Sequence, residues 1–336
     1  MDIDSLVELA DPSTFKPPFF LASPTLQSML ASSKLRLPRH PQLIEHAKEI
    51  ILTVTDGVRL QGFMSSHSQD CKKGVVILFH GWEGSANSTY IRCTGEALFQ
   101  AGFDVFRLNF RDHGDTHHLN HDLFRSDRLD EVFEAVRQIA DKYGDLPVFL
   151  TGFSLGGNFA LRIARKSAEI PVPNLKLVVG ISPLMNPAKS NERIDNIPWM
   201  RRYFLKKWFR SMGKKEAAFP GGFDFSEART LTTCSSIMEL FIGDQIPYPS
   251  VTEYFNTYTL LPDFFDRLTV PTLIIASKDD PAIPVEGILA LKENPLLRQA
   301  ITQHGGHCGF IETLWLESWL NHLLPDLFEE GSKWAL

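Results

Sequence analysis

Residues 147–157 read Pro-Val-Phe-Leu-Thr-Gly-Phe-Ser-Leu-Gly-Gly. An apolar run breaks on a serine held between two glycines. Helical spacing follows at once, with Phe159, Leu161, Ile163 and Ala164 set among Asn158, Arg162, Arg165 and Lys166. Strand, tight turn and helix in that order leave a chain few options. The strand is apolar along its length, so both its faces need cover. The turn forces Ser154 into a strained backbone, with its hydroxyl pushed outward. Glycine at 152 and 156 removes side chains that would collide there. The five-residue pattern alone should occur by chance in roughly one chain in ten of this length, so its weight comes from the flanking strand and helix.

The same alternation continues along the chain. Residues 49–55 and 58–64 predict two strands around Asp56-Gly57, a hairpin dipeptide. Residues 74–79 predict a buried strand, 86–100 a helix, 103–109 a strand and 123–143 a helix. After the 147–151 strand and the 155–168 helix come strands at 175–181, 272–277 and 299–303, with helices at 285–292 and 310–324. This rhythm predicts an α/β fold with a mostly parallel, doubly wound sheet. It is interrupted at about 186–268, read as a helical lid insertion over the carboxyl ends of the strands. Residues 1–45, rich in Pro and Ser, are expected to form an extended arm packed on the body by its aromatic residues. The core is then expected at 46–185 and 269–336.

Ligands on such sheets lie at the carboxyl ends of strands, and the chemically capable residues stand there. An exposed serine becomes a nucleophile when a base, an orienting acid and an oxyanion site surround it. His307, on the loop His304-Gly305-Gly306-His307, is the candidate base, with His304 as competitor. Asp280, after the 272–277 strand, is the candidate acid, with Asp279 second. The backbone N–H groups of Trp82, following His80-Gly81, and of Leu155 are the candidate oxyanion donors. The side chain of His80 reads as a structural turn residue.

These stretches resemble the α/β-hydrolase superfamily, in particular its YheT-like branch, also called AB hydrolase family 4. The resemblance rests on Phe79-His80-Gly81-Trp82-Glu83-Gly84-Ser85, on Gly152-Phe153-Ser154-Leu155-Gly156-Gly157-Asn158, on Asp279-Asp280-Pro281 and on Gly305-Gly306-His307. Pro24-Thr25-Leu26-Gln27-Ser28 is similar to the branch's N-terminal arm. The resemblance implies a triad of Ser154, Asp280 and His307 acting on carboxylic esters, with acyl transfer to an alcohol as the alternative and a non-catalytic binding protein as the remote one. One loop departs from the pattern. Where the branch has N-x-R-G-x-G, this chain has Asn109-Phe110-Arg111-Asp112-His113-Gly114-Asp115.

Composition removes other classes. A net charge of −6 gives no global attraction to nucleic acid or to an anionic membrane. There is no dinucleotide fingerprint and no P-loop, so no cofactor is expected. His113, His117, His118 and His121 cluster near Asp112 and Asp115 without a familiar zinc spacing, and no metal is expected. Cys71, Cys93, Cys234 and Cys308 form no C-x-x-C pair and read as free thiols. The acidic start Met1-Asp2-Ile3-Asp4 is unlike a basic secretory leader, so a cytoplasmic location is expected. The basic, aromatic segment 197–215 reads as a lid helix with its apolar face inward and its basic face in water, which leaves at most peripheral membrane contact. The expected partner is a small acyl ester. If His307 is the base, activity should fall on acidification with an apparent pKa of about 6–7.

Overall fold

The computed structural model describes residues 3–68 and 73–334. Met1 and Asp2 of the acidic start, and Cys71, lie outside the described residues. Among the described residues eight strands form one sheet: β1 (Ala47–Thr53), β2 (Arg59–Ser65), β3 (Val75–Phe79), β4 (Asp104–Leu108), β5 (Val148–Phe153), β6 (Leu175–Ile181), β7 (Thr272–Ser277) and β8 (Leu297–Thr302). The spatial order is β1-β2-β4-β3-β5-β6-β7-β8. β2 runs antiparallel to both its neighbours, and β3 to β8 are parallel. The expected doubly wound sheet is what the chain forms.

Among the described residues twelve α-helices accompany it: α1 (Asp4–Leu9), α2 (Pro24–Ala31), α3 (Gln42–Glu45), α4 (Thr89–Gln100), α5 (Leu129–Asp141), α6 (Leu155–Lys166), α7 (Pro187–Asn196), α8 (Pro198–Ala218), α9 (Cys234–Phe241), α10 (Val251–Asn256), α11 (Glu286–Leu289) and α12 (Leu320–Ser332). The period of two in a strand divides the core. Val75, Ile77 and Phe79 face α5 and α6, where Val132, Val136, Ile139, Phe159 and Ile163 close over them. Val76 and Leu78 face the other way, toward α4 and α12 with Ile91, Leu98, Leu324 and Phe328. All five side chains of β3 are fully buried, each contributing about 1.5–3 kcal/mol. Helices α7 to α10 lie between β6 and β7 and pack a cluster of their own around Met212, Phe225, Ile237, Phe241 and Tyr254. No helix among the described residues is long and apolar enough to cross a membrane.

The structure corrects several expected elements. Residues 3–45 are not extended: α1, α2 and α3 lie within them. Ser23 caps α2, accepting from Leu26 N–H with Pro24 in the first turn. The last helix begins at Leu320, not at 310. Phe310 and Leu316 hold φ of +49° and +62°, and Ile311 bridges to Ser318. The Gln27 amide donates to Ile311 O and accepts from Ile311 N–H, so a side chain from α2 satisfies the backbone that a helix would otherwise have paired. The helix expected at 285–292 shrinks to α11. The one expected at 123–143 starts at Leu129, because Phe124 N–H and Ser126 N–H are taken by Asp112 and the Tyr254 hydroxyl.

Candidate active site

Ser154 stands between β5 and α6 with φ +55° and ψ −116°. The surroundings over-determine this strained backbone. Ser154 N–H donates to Ile181 O at 2.9 Å, and Ser154 O accepts from Asn158 and Leu184 N–H. The glycines are sterically required. A Cβ on Gly156 would lie 2.5 Å from His80 O and 2.6 Å from Phe79 O, and one on Gly152 would run into the Gly156 carbonyl.

The structure brings the three candidate side chains into contact. His307 Nε2 lies 2.9 Å from Ser154 Oγ, and His307 Nδ1 lies 2.9 Å from Asp280 Oδ2. The other oxygen of Asp280 accepts from Ala282 and Ile283 N–H at 2.8 and 2.9 Å. With the acid side chain 2% exposed and the imidazole 15%, the pair is nearly dry. Burial pulls the His307 pKa down, but the Asp280 charge, with Cys308 and the hydrogen bonds, outweighs it and holds the ring well above its ordinary value.

The second choices take other places. Asp279 accepts from Gly306 N–H at 2.9 Å and sits 3.5 Å from the half-exposed ring of His304, so both brace the histidine loop from outside. Two positioning contacts had no advance signal in the residues themselves: Ser28 of α2 accepts His307 N–H at 2.8 Å, and Ser182 accepts Cys308 N–H at 3.3 Å.

The loop after β3 packs on the serine: a Cβ on Gly81 would sit 3.2 Å from Ser154 Cβ. Among the described residues, neither Trp82 N–H nor Leu155 N–H has a hydrogen-bond acceptor. Leu155 is also the first residue of α6, where the helix dipole favours negative charge. Two neutral histidines fix this loop. His80 donates through Nδ1 to Gly81 O and accepts Phe110 N–H at Nε2. His113 donates to Arg111 O and accepts Glu83 N–H. Burial drives both downward, His113 to about 4, which keeps Nε2 free to accept. His80 is thus structural, as expected.

His117, pushed by burial to about 3, reaches Ser211 Oγ instead. His118 and His121 are exposed. Among the described residues, no three His, Cys, Asp or Glu side chains are grouped to hold a metal. Cys93, Cys234 and Cys308 are buried free thiols.

A cavity of about 140 Å³ opens on Ser154, His307, Trp82 and Leu155. Its further walls are largely apolar, including Leu184, Phe204, Trp208, Met212 and Phe241. The half-buried Glu83 also faces it, its carboxyl pushed up to about 8 by burial. Helix α8 forms one side. Phe204 stacks on the Trp82 indole and Trp208 meets it edge-on, both at 5.1 Å.

The basic face of α8 is only partly in water. Arg202, Lys206 and Arg210 are exposed, but Lys207 donates to Glu83 O and Lys214 to Gly114 O. Lys215, 1% exposed, bonds Asp112 Oδ1 at 2.8 Å and Asn120 O at 2.7 Å. These lysines sit too near the β3 and β4 loops to extend into solvent, which periodicity alone does not reveal. Asp112 holds φ +56° where the resembling branch has glycine. Burial pulls Lys215 down and Asp112 up, each against its partner's charge. Lys215→Met should therefore cost about 3–5 kcal/mol of unfolding free energy in urea titration. Adding Asp112→Gly should recover most of it, by removing the stranded carboxylate and relaxing the left-handed backbone. An unaffected single variant, or no recovery in the double, would contradict this account of the latch.

Comparison with known proteins agrees with the fold. The sequence profile described as alpha/beta hydrolase fold matches residues 74–314. YheT of Escherichia coli strain K12 is 27% identical over 259 residues, covering 75% of each chain. The bovine phospholipase ABHD3 is 23% identical over 287 residues, 81% of this chain and 68% of the relative. Among solved structures, an esterase of Pyrococcus furiosus superimposes with a TM-score of 0.58 at 18% identity, over 84% of this chain and 90% of that one.

Proposed function

The chain belongs to the α/β-hydrolase fold family, and from that premise we propose that it is a serine hydrolase of carboxylic esters in the YheT-like branch. One observation carries the reading: His307 touches Ser154 Oγ through one ring nitrogen and Asp280 through the other, each at 2.9 Å. Ser154 Oγ attacks the ester carbonyl carbon while its proton passes to His307 Nε2. The carbonyl oxygen takes up the negative charge and is met by Trp82 and Leu155 N–H. Each such donor contributes about 10²–10³ in rate. Asp280 keeps the Nδ1–H tautomer and stabilises the imidazolium. The alkoxide leaves with the proton from Nε2, and an acyl-serine remains. Water, deprotonated by the same nitrogen, then releases the acid.

Residues 186–268 serve as a cap whose apolar side receives the acyl chain. Residues 1–45 brace the histidine loop through Ser28 and Gln27. The substrate is a medium-chain or lipid-like ester, since the cavity walls are apolar and the cavity is small. A series of p-nitrophenyl esters graded by acyl length tests this. The value of kcat/KM should peak at medium length and fall by more than about tenfold for the longest chains. No hydrolysis of any member, or a profile indifferent to length, would oppose the reading. Released acid, rather than a new ester when an alcohol is added, separates hydrolysis from acyl transfer.

A further inference from the structure

The most exposed large apolar side chains among the described residues gather where the N-terminal arm meets the loop after His307. Phe19, Trp315 and Leu35 are 90%, 86% and 83% exposed, and Phe20, Met29 and Leu314 are exposed as well. Hydrogen bonds tie the two segments together. Arg36 Nε donates to Leu316 O at 3.1 Å, a contact whose two residues directly follow Leu35 and Trp315 in the chain. Gln27 donates to both Leu21 O and Ile311 O at 2.9 Å, which joins the Phe19-Phe20 turn and the Met29 helix to the same loop. Beneath them Phe15 packs on Phe310 and Trp319. Soluble proteins rarely leave such a cluster uncovered.

Charge selects the cover. Between residues 12 and 44 the sequence holds Lys16, Lys34, Arg36 and Arg39 and no Asp or Glu, in a chain of net charge −6. Lys16, Lys34 and Arg39 are exposed. Of the loop's two acids, Glu312 faces His322 at 3.3 Å and Glu317 accepts from Thr313. Lys16 feels the carboxylate of Asp11, which leaves Lys34 and Arg39 as the exposed cations of this face. Exposed Phe and Trp beside them is the composition that suits a headgroup region, where rings enter the interface and cations meet lipid phosphate, as a local patch on a chain of net negative charge.

We propose that this face docks the protein on an anionic lipid bilayer, with Phe19, Phe20, Leu35 and Trp315 entering the interface and Lys34 and Arg39 facing phosphate. The face adjoins the candidate site, because α2 carries both Met29 and the Ser28 that holds His307. Docking does not depend on the ester reading, since binding is measured without substrate.

The test is co-sedimentation of the full chain with vesicles of phosphatidylcholine alone or with about one third phosphatidylglycerol. Binding is expected to the anionic vesicles only, and to weaken with salt. Trp315→Ser and Lys34→Glu should each reduce it by about tenfold, with unchanged far-UV circular dichroism showing the fold intact. No binding to either vesicle, or equal binding to both, would overturn the proposal. So would concentration-dependent dimers lost in Trp315→Ser without vesicle binding, which would assign the face to a second copy.

Discussion

Ser154→Ala should lower kcat for p-nitrophenyl esters by about 10⁶, leaving only the residual rate that a bound ester and an oxyanion site supply without a nucleophile. The expectation follows from the absence of a substitute. The elbow presents one hydroxyl to His307 Nε2, while the hydroxyls of Ser28 and Ser182 accept from His307 and Cys308 N–H instead. Stability should change little, because no hydrogen bond to the hydroxyl other than that of His307 is found among the described residues. Steady-state kinetics on freshly purified variant decides it. A variant that keeps a few per cent of the wild-type rate would remove Ser154 from the mechanism.

Asp280→Asn should lower kcat by about 10⁴ and should also move the pH profile. An asparagine amide turned toward Nδ1 favours the tautomer with the proton on Nε2, which faces Ser154 and cannot accept. In the wild type only neutral His307 takes the serine proton, so the rate rises with pH through the His307 pKa. That pKa stands well above the ordinary histidine value because the Asp280 carboxylate outweighs burial. The limb is therefore expected above the range of about 6–7 that an ordinary histidine gives, which corrects the value drawn from residue type alone. Without the carboxylate, burial is opposed by less and the limb shifts down. Coincident profiles for the two proteins would show that Asp280 does not set the charge on His307.

The difference between residue type and environment marks the limit of what the sequence shows. The elbow, the buried strand of residues 75–79 and the order serine, acid, histidine were readable because each is local: two glycines around a serine, five apolar residues in a row, a loop after a strand. The parallel sheet followed from their alternation. What was not readable depends on groups distant in sequence. The start of the last helix was misplaced because Phe310, Ile311 and Trp319 are apolar at helical spacing but are buried by Phe15 and satisfied by Gln27. The arm's helices form against α12, α4 and the histidine loop, so Pro and Ser content alone gave the wrong conformation. His113 looked like a member of a polar cluster, yet it fixes Glu83 N–H beside Trp82, the candidate oxyanion donor. The lysines of α8 looked solvated, yet three of them hold the loops after β3 and β4. In each case charge, burial or hydrogen bonding across more than about twenty residues outweighed the local pattern.

The central claim is that one hydroxyl, on Ser154, bears the acyl group. Mass spectrometry of the digested protein after treatment with a fluorophosphonate reads this most directly. The account predicts a single adduct on the peptide containing Ser154, lost when ester substrate is present in excess and absent from Ser154→Ala. An adduct on another residue, or an unmodified protein that still hydrolyses esters, would contradict it.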